Sequence, residues 1–193
     1  MIVPLGREHA DRVAALHCAA LTGLLAELGE PAARAFYAGA VESGAAVGFV
    51  SLGDGAVDGF VFGSVHPDRL KGSAARCSPA GLAAGVLLGV LKRPGSLVRL
   101  LKSFRGPDEG TFDADAPELT YLAVSAGRRG GGIGRGLVDA FSQAMRGAGA
   151  AAYELSVDDD NQRAAAFYEK RGFERVGSYR EFGTARRRYR LKL

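Results

Sequence analysis

The chain has 193 residues and a net charge of +4, with 47% hydrophobic and 24% charged residues, which is typical of a folded domain and does not by itself indicate nucleic acid. Its two cysteines form no C-x-x-C pair and its three histidines match no zinc spacing, so we expect reduced thiols in a cytoplasmic protein and no metal site. The N-terminus becomes charged too early for a signal peptide, and the longest strongly apolar stretch, residues 82–91, is about half as long as a membrane span.

The first part of the chain predicts a strand, two helices and a hairpin. A strand at residues 2–5 precedes apolar residues at helical spacing between residues 13 and 24, and a second helix follows at residues 31–41. Alternating residues predict two strands, 46–52 and 56–65, joined at Gly53-Asp54-Gly55. Asp58-Gly59 is a second turn signal, which leaves the register of the hairpin open.

The last part of the chain alternates between strands and helices. The pattern predicts strands at residues 118–124 and 153–157, each followed by a helix, at 133–146 and 161–171. Two closing strands, 173–181 and 186–193, would be joined through Gly183-Thr184. Alternation of this kind predicts an α/β fold with a mixed, twisted central sheet and helices on both faces, in one domain of residues 1–193.

A glycine-rich run between the strand at 118–124 and the helix at 133–146 predicts an anion site. Its glycines allow the backbone to turn sharply and to approach a ligand closely. The following helix presents unpaired N–H groups and the positive end of its dipole, which suit a pyrophosphate. Arg128, Arg129 and Arg135 add positive charge. A flexible loop with solvated arginines is the alternative interpretation of this run taken alone.

Two other phosphate-binding loops fit this spacing less well. The P-loop requires a lysine at the start of the helix, and this run contains none. The dinucleotide fingerprint G-x-G-x-x-G requires glycine where the chain has Arg135 or Leu137. Glu154 nevertheless lies about twenty residues downstream, where that fold has its ribose-binding acid. A dinucleotide-binding oxidoreductase therefore remains an alternative.

Two motifs resemble the GNAT superfamily of acetyl-CoA-dependent N-acetyltransferases. Residues 129–134 match the acetyl-CoA signature R-x-x-G-x-G and follow Tyr121-Leu-Ala-Val124. Residues 161–173 resemble the family pattern N-x-x-A-x-x-F-Y-x-K-x-G-F at each defined position. The resemblance is clear over residues 118–193 and weaker over 1–65. It implies a GNAT-like sheet whose splayed central strands hold the cofactor.

The resemblance also implies which residues hold acetyl-CoA. The end of the strand at 118–124 would pair with the pantetheine arm, the glycine-rich loop would wrap the pyrophosphate, and Asn161 and Tyr168 would meet the cofactor from the second motif. The expected cofactor-binding residues are Leu122, Ala123, Val124, Arg129, Gly130, Gly131, Gly132, Ile133, Gly134, Arg135, Asn161, Phe167 and Tyr168.

The expected reaction is direct attack of a primary amine on acetyl-CoA in a ternary complex. A lysine-type amine is almost wholly protonated near neutral pH, so a base must remove its proton. A backbone N–H near Val124 would stabilise the developing oxyanion, and Tyr168 would act as the acid that protonates the departing thiolate. Neither cysteine is needed. A module that binds acyl-CoA without turnover is the alternative function.

The resemblance offers more than one candidate for the base. The strand at 118–124 is similar to that of the histone-acetyltransferase branch, which aligns Glu118 with the glutamate base of that branch. In the ribosomal-protein branch the base stands five residues before the asparagine, where this chain has Ser156. Glu154 is the second candidate, and His17 and His66 are further ones. The acceptor is expected to be a small molecule or a peptide, with no nucleic acid and no membrane span.

Residues 67–117 separate the predicted hairpin from the strand at 118–124, and we call them the interrupting segment. This segment is basic and partly helical. Residues 67–107 contain eight basic residues and one acidic residue, with apolar residues on both sides of Pro94-Gly95. One interpretation is a pair of amphipathic helices packed on the core with solvated basic faces. Others are a lid over the acceptor site, a contact within a homodimer, or a surface for an acidic partner or a membrane. Its position between two strands beside the expected thioester favours the lid.

Overall fold

The computed structural model describes residues 1–102, 115–181 and 183–193. Its strands form one seven-stranded sheet in the order β1-β2-β3-β4-β5-β7-β6. Each predicted strand is found, with its ends shifted by two residues at most. The strands are β1 (Ile2–Pro4), β2 (Val47–Gly53), β3 (Ala56–Ser64), β4 (Glu118–Val124), β5 (Ala152–Asp158), β6 (Glu174–Glu181) and β7 (Thr184–Lys192).

Helices connect the strands. The first predicted helical pattern, between residues 13 and 24, forms two separate helices, α1 and α2. This pattern breaks because Gly23 adopts a φ of 109°, which separates α1 from α2. The interrupting segment contains three helices before residue 103. The helices are α1 (Ala10–Ala20), α2 (Leu24–Leu28), α3 (Glu30–Glu42), α4 (Pro67–Cys77), α5 (Pro79–Lys92), α6 (Gly95–Lys102), α7 (Ile133–Gly147) and α8 (Gln162–Glu169).

The β2–β3 hairpin turns at Asp54-Gly55. Gly53 pairs with Ala56 across the turn, and Asp54 and Gly55 both have positive φ values, 49° and 77°. Two consecutive left-handed residues are the signature of the two-residue type I′ turn. The alternative turn signal, Asp58-Gly59, lies within β3.

The sheet is covered by helices on both faces, as predicted. Phe60 and Phe62 of β3 point to the face that packs against α1 and α3, where Tyr37 is fully buried. The residue between them, Val61, points to the opposite face, where it packs with Phe141 of α7. Since neighbouring side chains of a strand point to opposite faces, the two clusters lie on the two sides of the sheet.

A β-bulge distorts β4 near its start. The register between β3 and β4 shifts between Phe62 and Gly63, so Thr120 is the extra residue on β4. A methyl group at Gly63 would overlap the carbonyl oxygen of Glu118. A glycine is therefore required at this close approach.

The central strands β4 and β5 separate soon after they meet. They are parallel and pair at one position, Glu118 with Glu154, where the Glu154 N–H donates to the Pro117 carbonyl at 2.8 Å. On its other side β4 pairs with β3 as far as Val124, and β5 pairs with β7 as far as Asp158. The two strands thus leave a gap between them that begins beyond Glu118, which is the splayed arrangement that the resemblance implied.

The helices of the interrupting segment form a layer on top of α2 and α3. Both α4 and α5 pack against α3, and α5 and α6 pack against α2. The fit of α5 is close: a Cβ atom at Gly85 would lie 2.6 Å from the backbone of Ala32, and one at Gly89 would meet Leu28. The absence of side chains at these two positions is what lets the helices approach.

The interrupting segment was predicted to act as a lid. Outside their own segment, residues 67–102 mainly contact α2, α3 and β3. Residues 103–114 lie outside the described part of the chain. The lid therefore stays a prediction. Among the described residues, no single helix is long and apolar enough to cross a membrane, while α4 and α5, bent by 98° at their junction, meet that test together by length and composition only.

Candidate active site

The gap between β4 and β5 is lined by backbone groups of β4. The Ser125 N–H donates to the Asp58 carbonyl of β3 at 2.8 Å. Because backbone groups alternate in direction along a strand, those of Ala123 also face β3, while those of Leu122 and Val124 face the gap. The strand therefore offers Leu122 and Val124 for pairing with an extended ligand. Ala123 was also expected to bind the cofactor, but its backbone groups face β3 and already pair with that strand.

The glycine-rich loop ends in an open helix N-terminus. Gly130 and Gly132 have φ values of 88° and 81°, a conformation that favours glycine. The first backbone bond of α7 runs from the Gly136 N–H to the Gly132 carbonyl. The preceding N–H groups, which have no acceptor within the helix, belong to Ile133, Gly134 and Arg135. No acidic residue lies in this first turn, so the N-terminus of α7 can accept an anion.

Three predicted segments meet at Gly134. A methyl group placed on Gly134 would lie 3.6 Å from the Phe167 ring of α8 and 3.7 Å from a methyl group of Val124 on β4. Beside this point is an open depression of about 660 Å³ with three basic side chains in its wall. The lining residues are Arg135, Phe167, Lys170, Arg171 and Gly172. Two of the basic side chains, Arg135 and Arg171, also pair with Asp139. The strand, the loop and the second motif thus converge beside a depression lined by basic side chains.

Two of the loop arginines hold the loop in place. Arg128 donates to Asp54 at 2.7 Å and lies 3.4 Å from Asp58, which ties the loop to the β2–β3 hairpin. The Nε of Arg129 donates to the Val124 carbonyl at 3.1 Å. The sequence predicted positive charge from both side chains and cofactor binding by Arg129. Their structural role depends on contacts that the local pattern does not reveal.

Asn161 caps the helix that contains the second motif. Its side-chain oxygen accepts a hydrogen bond from the Ala164 N–H at 3.1 Å. This satisfies one of the free donors at the start of α8. Asparagine immediately before a helix is a known cap signal, so the sequence already contained the evidence for this role. The side-chain NH₂ group of Asn161 is not used by the cap.

Tyr168 lies inside an aromatic cluster at the base of α8. Its ring centroid is 5.1 Å from that of Phe167 and 5.2 Å from that of Phe173. Burial raises the pKa of the Tyr168 hydroxyl well above its usual range, and Tyr153 adds to the effect. The hydroxyl therefore carries its proton at neutral pH and is a hydrogen-bond donor.

Glu118 and Glu154 share a buried arginine at the point where β4 and β5 meet. The Arg188 Nε donates to Glu154 at 2.6 Å, and its Nη1 donates to Glu118 and to Ser156 at 2.9 Å. Arg190 donates to the second Glu154 oxygen at 2.8 Å. Both oxygens of Glu154 are thus engaged by guanidinium groups, whereas Arg188 engages one oxygen of Glu118. Glu118 is also the more exposed of the two side chains, at 20% against 4%.

The two predicted catalytic residues lie on opposite faces of the sheet. Leu119 of β4 packs in the same cluster as Tyr168, and its neighbour Glu118 therefore points to the other face. That face also holds Tyr121, whose pKa is raised to about 12 by burial and by the nearby charge of Glu118. A ligand that fills the gap between β4 and β5 would have Tyr168 on one side and Glu118 on the other.

His17, a further candidate base, is fully buried. Its Nδ1 lies 2.7 Å from the Tyr37 hydroxyl, and its ring contacts that of Tyr121 at 4.7 Å. Burial lowers the pKa of His17 to about 4, so the imidazole is neutral at physiological pH. Its position within the α1–α3 core separates it from solvent. His66, by contrast, is exposed beyond the end of β3.

Comparison with known proteins identifies the class of protein that this fold and site define. Residues 8–173 match the family model described as the acetyltransferase (GNAT) family. The chain belongs to this family, which uses acetyl-CoA, and it is an acyltransferase.

Individual relatives agree with this assignment. A stretch of 71 residues is 38% identical to a mycothiol acetyltransferase of Beutenbergia cavernae, and it covers 37% of this chain and 24% of that protein. An acetyltransferase of known structure is 21% identical over 100% of this chain and 98% of its own, with a TM-score of 0.64. An N-acetyltransferase from Staphylococcus aureus Mu50 is 15% identical over 99% of this chain and 100% of its own, with a TM-score of 0.65. The two solved structures support the fold.

The buried arginine generates a prediction about stability. Replacing Arg188 with Met should lower the free energy of unfolding by about 3 kcal/mol or more, because Glu118 and Glu154 then lose a buried cationic partner. Arg7→Met is the matched control, since Arg7 also pairs with a glutamate, Glu42, but is 73% exposed. The control should change the free energy by less than about 1 kcal/mol. Urea unfolding followed by circular dichroism measures both, and equal effects would contradict the prediction.

Proposed function

We propose that the protein is an N-acetyltransferase that transfers the acetyl group of acetyl-CoA directly to a primary amine in a ternary complex. The observation that carries this proposal is the convergence of Val124, Gly134 and Phe167 beside the gap between β4 and β5. A strand whose backbone groups face the gap, a helix N-terminus that suits an anion and a depression lined by basic side chains then lie next to one another. A module that binds acyl-CoA without turnover is the alternative, and the candidate acid and base on either side of the gap favour an enzyme.

The residues present fit acetyl-CoA, which would supply an acetyl group activated as a thioester. Leu122 would bind the pantetheine arm through its backbone groups, with the Val124 carbonyl, which also accepts from Arg129, as a further acceptor. The N–H groups of residues 130–135 would bind the pyrophosphate, because they stand at the positive end of the α7 dipole. Phe167 would pack against the cofactor, and the Asn161 NH₂ would donate to it. The Val124 N–H, which faces the gap, would stabilise negative charge on a carbonyl oxygen.

Glu118 is the residue that we assign as the base. It lies at the start of the gap with one carboxylate oxygen not engaged by Arg188, so this oxygen can accept a proton from the acceptor amine. Glu154 is less suited, since both of its oxygens accept from arginines. The acceptor would then enter from the face that contains Glu118 and Tyr121. This position places it opposite the cluster that holds Tyr168.

Tyr168 would stabilise the departing sulfur from the other face. Its raised pKa exceeds that of a thiol, which is about 8.5. A complete proton transfer from the tyrosine to the thiolate is therefore uphill, and the hydroxyl acts chiefly as a hydrogen-bond donor to the developing charge. The acceptor would be the primary amine of a small molecule or of a peptide. An amine-library screen with acetyl-CoA, followed by release of free thiol, identifies it.

Cofactor binding can be tested at the N-terminus of α7. Acetyl-CoA at a hundredfold excess over its dissociation constant should stabilise the protein by about 2.7 kcal/mol. Gly134→Glu should abolish this shift, because a carboxylate would occupy the anion site, although a negative charge at this helix end stabilises the helix itself. Gly147→Glu, at the other end of α7, has open space around it and should keep the shift. A thermal shift with NAD instead of acetyl-CoA, or an unchanged shift in Gly134→Glu, would contradict the assignment.

The role of Glu118 predicts a pH dependence. Glu118→Gln should lower the turnover number about a hundredfold or more at neutral pH, because an amide cannot accept the proton of the amine. The loss should shrink as the pH rises, since the acceptor then loses its proton without help. The measurement is the ratio of variant to wild-type turnover from pH 7 to pH 10, with acetyl-CoA binding as the check of folding. An equal loss at every pH would indicate that Glu118 only positions Arg188.

The role of Tyr168 predicts a loss of turnover without a loss of affinity. Tyr168→Phe keeps the packing against Phe173 but removes the hydrogen-bond donor to the developing charge. It should lower the turnover number about a hundredfold, with the acetyl-CoA dissociation constant changed by less than about twofold. Tyr153→Phe is the matched control, because its hydroxyl bonds to Ser142 at 2.9 Å within the same cluster. That variant should lose about 1 kcal/mol of stability and keep its turnover. If both variants turn over like the wild type, Tyr168 is a packing residue.

A further inference from the structure

An exposed apolar surface covers α5 and α6. Six of the nine large hydrophobic side chains that are exposed in the described part of the chain lie on these two helices, with exposed fractions between 44% and 69%. In each helix they occur at positions i, i+1 and i+4, which lie on one side of a helix. They are Leu87, Leu88 and Leu91 on α5, and Leu97, Val98 and Leu101 on α6. An apolar concentration of this kind on a folded protein marks an interaction surface.

The packing of α5 fixes the outward direction of its leucines. Gly85 and Gly89 face the protein and contact the backbones of α3 and α2 so closely that no side chain fits there. Leu87 and Leu91 lie on the other side of the helix, about 120° or more from the centre of the glycine side at 3.6 residues per turn. Rotating α5 to bury these leucines would force them into a contact that only glycine permits. The packing of α5 against α2 and α3 therefore requires Leu87 and Leu91 to be exposed.

The two helices that form this surface also contain basic residues. Residues 79–102 include four basic residues and no acidic residue, namely Lys92, Arg93, Arg99 and Lys102. Lys92 and Arg93 are exposed at the junction between α5 and α6. A partner for this surface must accept apolar side chains and supply negative charge.

We propose that the α5–α6 surface docks onto an anionic lipid bilayer. Leucines that enter the boundary between headgroups and acyl chains, flanked by lysine and arginine at headgroup depth, form the usual arrangement of an interfacial amphipathic segment. Each basic residue near an anionic membrane adds to the attraction. A second copy of this chain fits less well, because a symmetric contact would place the same cationic surface against itself. The helices lie on the bilayer and do not cross it.

Co-sedimentation with vesicles tests the proposal on the intact chain of 193 residues. Vesicles of phosphatidylglycerol and phosphatidylcholine should bind the protein at least about tenfold more tightly than pure phosphatidylcholine, and 0.5 M salt should weaken the binding. Leu87→Ser/Leu91→Ser should reduce binding to the anionic vesicles about tenfold or more. Lys92→Glu/Arg93→Glu should reduce it similarly, through charge. Val176→Ser is the control, since Val176 is exposed on β6, outside this surface, and should bind like the wild type.

Folding and self-association are measured on the same variants. Thermal unfolding without ligand should be unchanged in the leucine pair, because these side chains are already exposed. The proposal is overturned if the wild type does not prefer anionic vesicles, or if both pairs of substitutions bind them like the wild type. It is also overturned if light scattering shows a dimer that Leu87→Ser/Leu91→Ser converts to a monomer while vesicles bind neither form. In that case the surface is a contact between copies of this chain.

Discussion

The site depends on the incomplete pairing of two parallel strands. β4 and β5 meet at Glu118 and Glu154, and each then continues along an outer partner, β3 or β7. Unpaired backbone groups inside a protein are costly, so such a gap persists only where something else meets them. The bulge at Thr120, made possible by Gly63, bends β4 where the separation begins. The gap thus results from the way the strands pair in the sheet. The backbone groups of Leu122 and Val124, which face it, would allow the site to bind an extended ligand.

The buried charges at the meeting point hold the two halves of the sheet together. Arg188 of β7 reaches across β5 to Glu118 on β4, and it contacts Glu154 on the way. Where β4 and β5 share almost no backbone bonds, these side-chain bonds supply the link between them. Buried ion pairs are costly to form but very costly to break, because the remaining charge is left without a partner. The same contact fixes the position of the Glu118 carboxylate, the proposed base, so one arginine would serve both the fold and the chemistry.

Local features of the sequence were the ones that could be predicted. The strand, glycine-rich loop and helix from Glu118 to Gly147 follow one another along the chain, so periodicity and glycine spacing were enough to locate them. The bond between Arg188 and Glu118 joins residues 70 positions apart, and that between Arg128 and Asp54 joins residues 74 apart. No local pattern encodes such pairs. The second motif predicted Asn161 as a ligand contact, and the structure shows that its side chain also caps α8.

Helix α3 lies between the face of the sheet that contains Glu118 and the outer helical layer. On its inner side Tyr37 packs against Tyr121, which stands beside Glu118 on β4. On its outer side Ala32 receives the glycine face of α5. Cores packed at the density of organic crystals transmit displacement rather than absorbing it. A force on the leucines of α5 therefore reaches β4, the strand that contains Glu118, through two contacts, both made by one helix.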